Sequence, residues 1–513
     1  MILRRITDNP LLIIVFSITL PLLNPQILRF VPGGTLNLSF SFILLLPIYF
    51  MLKVYENLIE AKRYVWHILI LAAITYLSFL IHVYYLLILS VWIGSFYVLL
   101  TGYLIHQKRK FISFAISAIG SLLAAGALFY ITVTFTDPYL TERNETALGY
   151  NHAPWKLQFS SLFTAYHFLK TKFLFSYTKY IPYEAHVYLG GFVLYLIAVL
   201  LIIKTVIGNS FFQSLRLDEH GNQRNFVLLL LASTVAPLLI AFGPEYYFGE
   251  NNDYVFSNYY SLFYHIELNT KKITHFRCLG RFAWPLFWAL NIGAIYLITL
   301  LLKNRNRWFA AIVIVLVYFN CKDARNAYEF IRTSQVANPF RLQTAELADV
   351  KKIIHKDYGV QYQAIVPLPY YHVGSESLDY SVDAEKMHFV KSLAFAYNTG
   401  LPLMSSTMSR TSVAQAKQMY SLINNDRAND TLLALLNSKP LLFYIDGSYY
   451  PDSTLYGSFD LPIQQKTFYN SRKLVSDFSM PKVAESGNIE LYQLNITSLR
   501  KGKLKTSFLV PNN

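Results

Sequence analysis

Nine apolar blocks constrain this chain more than any other feature: about 10–28, 37–54, 65–82, 84–104, 111–133, 187–206, 226–243, 282–302 and 308–320. About 20 apolar residues in a helix cross the ~30 Å hydrocarbon core of a bilayer. Lipid offers a backbone no hydrogen-bond partners, so such spans must be helical. The last block gives only about 20 Å of helix. Composition agrees with this reading, since 54% of the 513 residues are hydrophobic, 15% are charged and the mean hydropathy is +0.33. The 39 Tyr and 38 Phe suit interfacial belts, where an apolar ring meets water.

A net charge of +15 raises the question of nucleic acid. No ribonucleoprotein motif, zinc finger or basic helix supports it, and basic loops beside membrane spans account for the excess. The two cysteines, Cys278 and Cys321, make neither a disulfide scaffold nor a metal site; they read first as unpaired thiols, with one bridge between them as the alternative. The N-terminus MILRRITDNPLLIIVFSITL has the charge order of a signal peptide but no small-residue cleavage site. It is therefore expected to be an uncleaved first helix.

With the N-terminus inside, the inner segments are MILRR, KVYENLIEAKRY, HQKRK, the 204–225 loop and KNRNR. Each is rich in Lys and Arg. The outer segments are 29–36, the His82–Tyr85 turn, 134–186 and 244–281, with fewer basic residues per unit length. This alternation obeys the positive-inside rule through all nine spans and places residues 321–513 outside; if 308–320 does not span, that tail falls inside instead. That tail changes character. YQAIVPLPYYHVGSES, KPLLFYIDGSYYPDS and NIELYQLN read as strands, and TAELADVKKIIHKDYG and SVAQAKQMYSLINND as amphipathic helices. The expected fold is thus an α-helical polytopic membrane protein of about nine spans over residues 1–320, with outer loops 134–186 and 244–281, followed by a C-terminal α/β soluble domain over 321–513.

No phosphate-binding glycine loop, HExxH or GxSxG occurs, and the short inner loops leave no room for a cytosolic catalytic domain. Chemistry is expected at the outer face. Loop 134–186 carries Asp137, Glu142, Glu145 and His152, and loop 244–281 carries Glu245, Glu250 and Asp253. Such acids can act as a general base on an acceptor hydroxyl or bind a divalent cation, although any solvated loop carries acids and no ligand set has metal spacing. His82, His265 and His275 sit among aromatics at the outer boundary and read first as packing residues.

HFRCLGRFAWPLFWAL, residues 275–290, departs from the charge rule. Arg277 and Arg281 lie at i, i+4 on the side where few arginines are expected, with Lys271 and Lys272 just upstream. Two readings stand: side chains that snorkel to anchor a helix, and a phosphate or diphosphate site, whose oxygens match guanidinium forks.

Several segments together resemble the GT-C superfamily of membrane glycosyltransferases and, within it, bacterial multi-pass YfhO-like proteins. They are NPQILRFVPGGTLNLSFSF (24–42), IHVYYLL (81–87), VYLGGFVLYLIAVLL (187–201), RCLGRFAWPLFWAL (277–290) and VPLPYYHVGSES (366–377). The resemblance implies a protein of the bacterial inner membrane, with its C-terminal domain extracytoplasmic, that transfers a sugar from a polyprenyl-phosphate-linked donor to an envelope glycan or lipid acceptor. It makes Arg277, Arg281 and Lys272 the partners of the lipid phosphate. Enzymes of that superfamily usually carry their catalytic acid in a large first outer loop. Here the corresponding RFVPGGTLNLS (29–39) has no Asp or Glu, so the chain is expected to lack that element. Asp137, Glu142, Glu145, Glu245, Glu250 and Asp253 remain as substitutes for the acid. Other classes consistent with the pattern are a non-catalytic envelope-binding protein and, ranked lower because the span centres are nearly free of charge, a transporter or flippase of lipid-linked sugars.

Overall fold

The computed structural model describes the chain outside residues 31–35, 141–154, 170–180, 209–220, 249–253, 271–277, 304–306, 335–341, 343, 373–385, 406–410, 425–429, 450–472 and 502–513. It divides into two compact units, one of Met1–Thr136 with Tyr150–Gln335, the other of Asp137–Gly149 with Val336–Asn513.

The first unit is a helical bundle. Among the described residues its α-helices longer than four residues are α1 (Pro10–Leu23), α2 (Phe42–Ile59), α3 (Val65–Ile81), α4 (Val83–His106), α5 (Ile112–Thr136), α6 (Gly191–Ile207), α7 (Gly221–Ser233), α8 (Val235–Ala241), α9 (Leu262–Thr270), α10 (Trp284–Lys303) and α11 (Arg307–Ser334). A two-stranded antiparallel hairpin, β1 (Glu245–Phe248) and β2 (Tyr254–Ser257), lies between α8 and α9. Among the described residues, five segments are long and apolar enough to cross a membrane: Leu36–Ile59, Val83–His106, Ile112–Thr136, Gly221–Ala241 and Leu279–Lys303. Pro10–Leu23, Val65–Ile81 and Gly191–Val206 are shorter apolar helices. The outward faces are apolar too. On α5 alone, Ile112, Ile116, Ile119, Leu123 and Phe135 are exposed, a surface suited to lipid and not to water.

Local chemistry sets the helix ends. The Asn9 side chain accepts hydrogen bonds from the amides of Leu11 and Leu12, and Pro10 fills the first position of α1, where no amide donor is needed. Asn24 and Pro25 close α1 at Leu23, ahead of the expected limit at 28, and open a 3-10 turn at Pro25–Arg29. Gly190, at φ 95°, permits the sharp entry into α6. Polar side chains tie helices together inside the bundle. Trp92 Nε1 donates to Ser233 Oγ at 3.0 Å, joining α4 to α7, and Asn320 Nδ2 donates to Thr19 Oγ1 at 2.7 Å, joining α11 to α1. The domain boundary expected at 320 falls within α11, which continues unbroken to Ser334.

The second unit holds a four-stranded sheet in the order β3–β4–β6–β5, from β3 (Ala364–Leu368), β4 (Leu441–Asp446), β5 (Lys482–Ser486) and β6 (Ile489–Leu494). β3 and β4 are parallel, pairing Ala364 with Leu441, and the other pairs are antiparallel. Both parallel strands are buried along their whole length, which is why AIVPL and LLFYID read as continuous apolar runs. Helices α12 (Ala348–Ile353), α13 (Lys386–Thr399), α14 (Val413–Asn424), α15 (Asp430–Leu435) and α16 (Ile496–Lys501) complete this α/β unit.

Candidate functional site

At one end of the bundle, three charged side chains from three separate boundaries meet. Arg29 closes the 3-10 turn after α1, Glu184 lies in the segment leading into α6, and Arg281 sits in a 3-10 turn, Leu279–Ala283, that feeds α10. Arg281 Nε donates to Glu184 Oε2 at 2.7 Å and Arg281 Nη2 to Oε1 at 2.6 Å, the bidentate geometry that suits a guanidinium fork. Arg29 Nη2 donates to Oε2 at 2.5 Å, and its Nη1 lies 2.5 Å from Oε1. All three are buried: Arg29 is 1%, Glu184 4% and Arg281 5% exposed.

Aromatic rings wall the cluster. The Arg281 guanidinium lies 4.3 Å from the centre of the Tyr84 ring, and that of Arg29 lies 4.5 Å from Tyr183 and 5.6 Å from Trp284. Tyr84 Oη also accepts from the Cys278 amide at 2.9 Å, while Tyr85 Oη accepts from Gln26 Nε2 at 2.8 Å. The start of α4 therefore grips both arginine-bearing turns. Gly280 brings the third boundary close, because a Cβ there would stand 2.6 Å from the Glu184 carbonyl oxygen and 3.0 Å from Ala185 Cα.

The electrostatics are asymmetric. Burial by itself would raise the Glu184 carboxyl, but the Arg281 and Arg29 guanidiniums outweigh burial and hold it at about 2. It is ionised at neutral pH, so two positive charges share one negative and the cluster keeps an excess of +1. Arg29 Nε has no hydrogen-bond partner among the described residues. Nearby, burial lowers the His186 imidazole to about 4, against a contact of its Nε2 with the Thr164 carbonyl at 2.8 Å.

The residues singled out from the sequence are distributed differently from expectation. Arg281 is in the cluster, carried by the 3-10 turn Leu279–Ala283, which Cys278 precedes at φ −88° and ψ 65°. Lys271, Lys272, His275, Arg277, Glu142, Glu145, His152, Glu250 and Asp253 lie outside the described residues. His82 caps α4, its Nδ1 accepting from the Tyr84 amide at 3.2 Å, and thereby places Tyr84. His265 Nε2 contacts the Tyr259 carbonyl at 2.8 Å. Asp137 Oδ1 accepts from the Tyr139 amide at 3.1 Å. Glu245 opens β1, and its carbonyl accepts from Lys156 Nζ at 2.5 Å; burial brings that ammonium down to about 8. Neither Asp137 nor Glu245 is the acid at Arg281. Arg29 and Glu184 were not singled out, although Arg29 breaks the charge rule in the same way as Arg281. Among the described residues, no group of three His, Cys, Asp or Glu side chains is arranged to hold a metal ion.

Apolar helices around a buried, aromatic-walled ion cluster define a helical membrane protein. More particularly, a family model described as a domain of unknown function, DUF6311, matches residues 1–323, and the chain belongs to that family. No curated protein and no solved structure matches it.

Proposed function

We propose that the Arg29–Glu184–Arg281 cluster receives the phosphate or diphosphate of an anionic lipid carrier, and that the chain is a GT-C-like glycosyltransferase. In this reading it transfers a sugar from a polyprenyl-phosphate-linked donor to an envelope glycan or lipid at the outer face of a bacterial inner membrane. The N-terminus is cytoplasmic and the C-terminal α/β unit extracytoplasmic. The observation that carries the reading is the uncompensated positive charge: a buried cation in excess is costly unless an anion joins it. Glu184 occupies the fork of Arg281 and orients it, while Arg29 Nε retains donor capacity for a phosphate oxygen. As the sugar–phosphate bond breaks, negative charge grows on the leaving phosphate. Two fixed guanidiniums then stabilise that charge more than the ground state. The acceptor hydroxyl loses its proton to a carboxylate of the outer loops.

One observation favours a non-catalytic binding protein instead. Glu184, the acid at the arginines, is held at about 2 and is too weak a base to take a hydroxyl proton at neutral pH.

Membranes carrying the full chain, supplied with radiolabelled polyprenyl-phospho-sugar, test the proposal. Label should pass to the envelope fraction and fall by roughly 100-fold in Arg29→Lys or Arg281→Lys, which keep charge but lose the fork. Transfer equal to that of membranes without the chain would refute the enzyme reading. Saturable binding of the lipid phosphate without transfer would select the binding protein.

A further inference from the structure

A second site lies well along the bundle from the arginine cluster. An apolar groove of about 390 Å³ runs between α6, α7 and α10, walled by residues such as Val193, Leu200, Leu231 and Leu300 and floored at Gly293. Its volume falls in the range of sites that hold small molecules. Among its lining residues one is charged: Arg224, exposed on the first turn of α7. Gly293 keeps the floor open, since a Cβ there would meet Leu231 and Val227 side chains at 3.4 and 3.5 Å. Along α10 the lining runs from Leu290 to Leu300, about 15 Å of helix, or one leaflet's half of the ~30 Å hydrocarbon core. Arg281 precedes this stretch, some 20 Å of helical rise from Tyr296 in the groove wall, so the two sites are separate.

We propose that this groove is a binding site for an anionic glycerophospholipid. One acyl chain lies along Gly293, and the headgroup phosphate pairs with Arg224. Two of the groove's walls, α7 and α10, belong to the membrane-spanning segments Gly221–Ala241 and Leu279–Lys303, so the medium facing its open side is lipid. An apolar trough ending in a single guanidinium is complementary to an amphiphile with one apolar tail in reach and one anionic head. A zwitterionic lipid supplies the same tail but no net charge for Arg224. The inference is independent of the sugar-transfer reading and of the Arg29–Glu184–Arg281 cluster.

Native mass spectrometry of the full chain in detergent, titrated with phosphatidylglycerol and with phosphatidylcholine of the same acyl chains, tests it. Wild type should bind one phosphatidylglycerol about five-fold more tightly than phosphatidylcholine, the effect expected of one basic side chain at a membrane surface. Arg224→Gln should abolish the preference and leave the weaker tail-driven binding. Ile197→Trp, at the groove wall, should weaken both lipids, and Arg29→Lys should change neither. Equal affinity for the two lipids in the wild type, or an unchanged preference in Arg224→Gln, would overturn the proposal. So would an Ile197→Cys variant that cross-links to a second copy of the chain, because the groove would then be a protein interface.

Discussion

Replacing Glu184 with Gln isolates the charge asymmetry on which the site reading depends. The substitution conserves shape and removes one negative charge, leaving the Arg29 and Arg281 side chains, 0% and 6% exposed, without a counter-ion. Three charge-assisted hydrogen bonds of 2.5–2.7 Å converge on this one carboxylate. At about 1.5–3 kcal/mol each their sum would exceed 4 kcal/mol, but bonds sharing one acceptor group are not additive. Removing one partner of a buried ion pair typically costs about 3–5 kcal/mol, which is the expected loss here. Thermal unfolding of the purified full chain in detergent should show a fall in Tm on the order of 5–10 °C. Inorganic pyrophosphate should restore part of it by supplying the missing charge to the folded state alone. The double variant Arg29→Met/Glu184→Gln should be less destabilised than Glu184→Gln, because it buries one uncompensated charge where the single variant buries two. A loss below about 1 kcal/mol would refute the argument, as would a double variant that unfolds more readily than the single one.

Acid should act in two windows. The His186 imidazole is held near 4 by burial, below its ordinary 6.5, so its neutral form favours the fold and that contribution is lost as pH falls from 6.5 toward 4. Glu184, depressed from 4.5 to about 2, contributes fully above pH 4.5 and loses its contribution between 4.5 and 2. Melting curves at pH 7, 5 and 3 should therefore show the first step missing in His186→Gln and the second in Glu184→Gln. Gly280→Ala should cost about 1–3 kcal/mol and weaken pyrophosphate rescue, since its Cβ meets backbone at 2.6 Å, whereas Gly293→Ala, which meets only side chains at 3.4 Å and beyond, should melt like wild type. For topology, Cys321 is exposed and Cys278 buried, so a membrane-impermeant maleimide applied to intact cells should label Cys321 alone. Labelling of Cys321 only after permeabilisation would reverse the proposed orientation.

Hydropathy located the apolar helices because lipid and bundle interior select for the same residues, but it did not locate their ends. α1 stops at Leu23 although apolar residues continue, since Asn24 turns its side chain to the Gln26 amide and the chain enters a 3-10 turn. α11 runs past its apolar block to Ser334, because residues such as Lys322, Ala324 and Arg325 propagate a helix without lipid, and Arg325 pairs with Glu329 one turn on at 2.9 Å. In the second unit the buried strands β3 and β4 and the half-buried β6 were legible as apolar or alternating runs. Edge strand β5, KVAES, was not: it carries two charges and is only partly buried, so it has no pattern until β6 pairs with it.

The cluster leaves no mark along any single helix because its members stand 155 and 97 residues apart and belong to turns, not to one helical face. What could have found it is the side of the membrane on which the charges fall. Arg29, Glu184 and Arg281 border three different spans, and both arginines occupy segments where the charge rule leaves few. A buried pair of opposite charges adds little stability over an apolar pair of the same volume, so stability alone gives no reason for these residues. It gives still less for two arginines around one glutamate, where the second guanidinium adds the cost of an unbalanced charge in a medium of low dielectric constant. An anion arriving from outside the chain removes that cost and changes the sign of the second arginine's contribution. The stoichiometry of the cluster, more than its position, therefore argues for a negatively charged ligand.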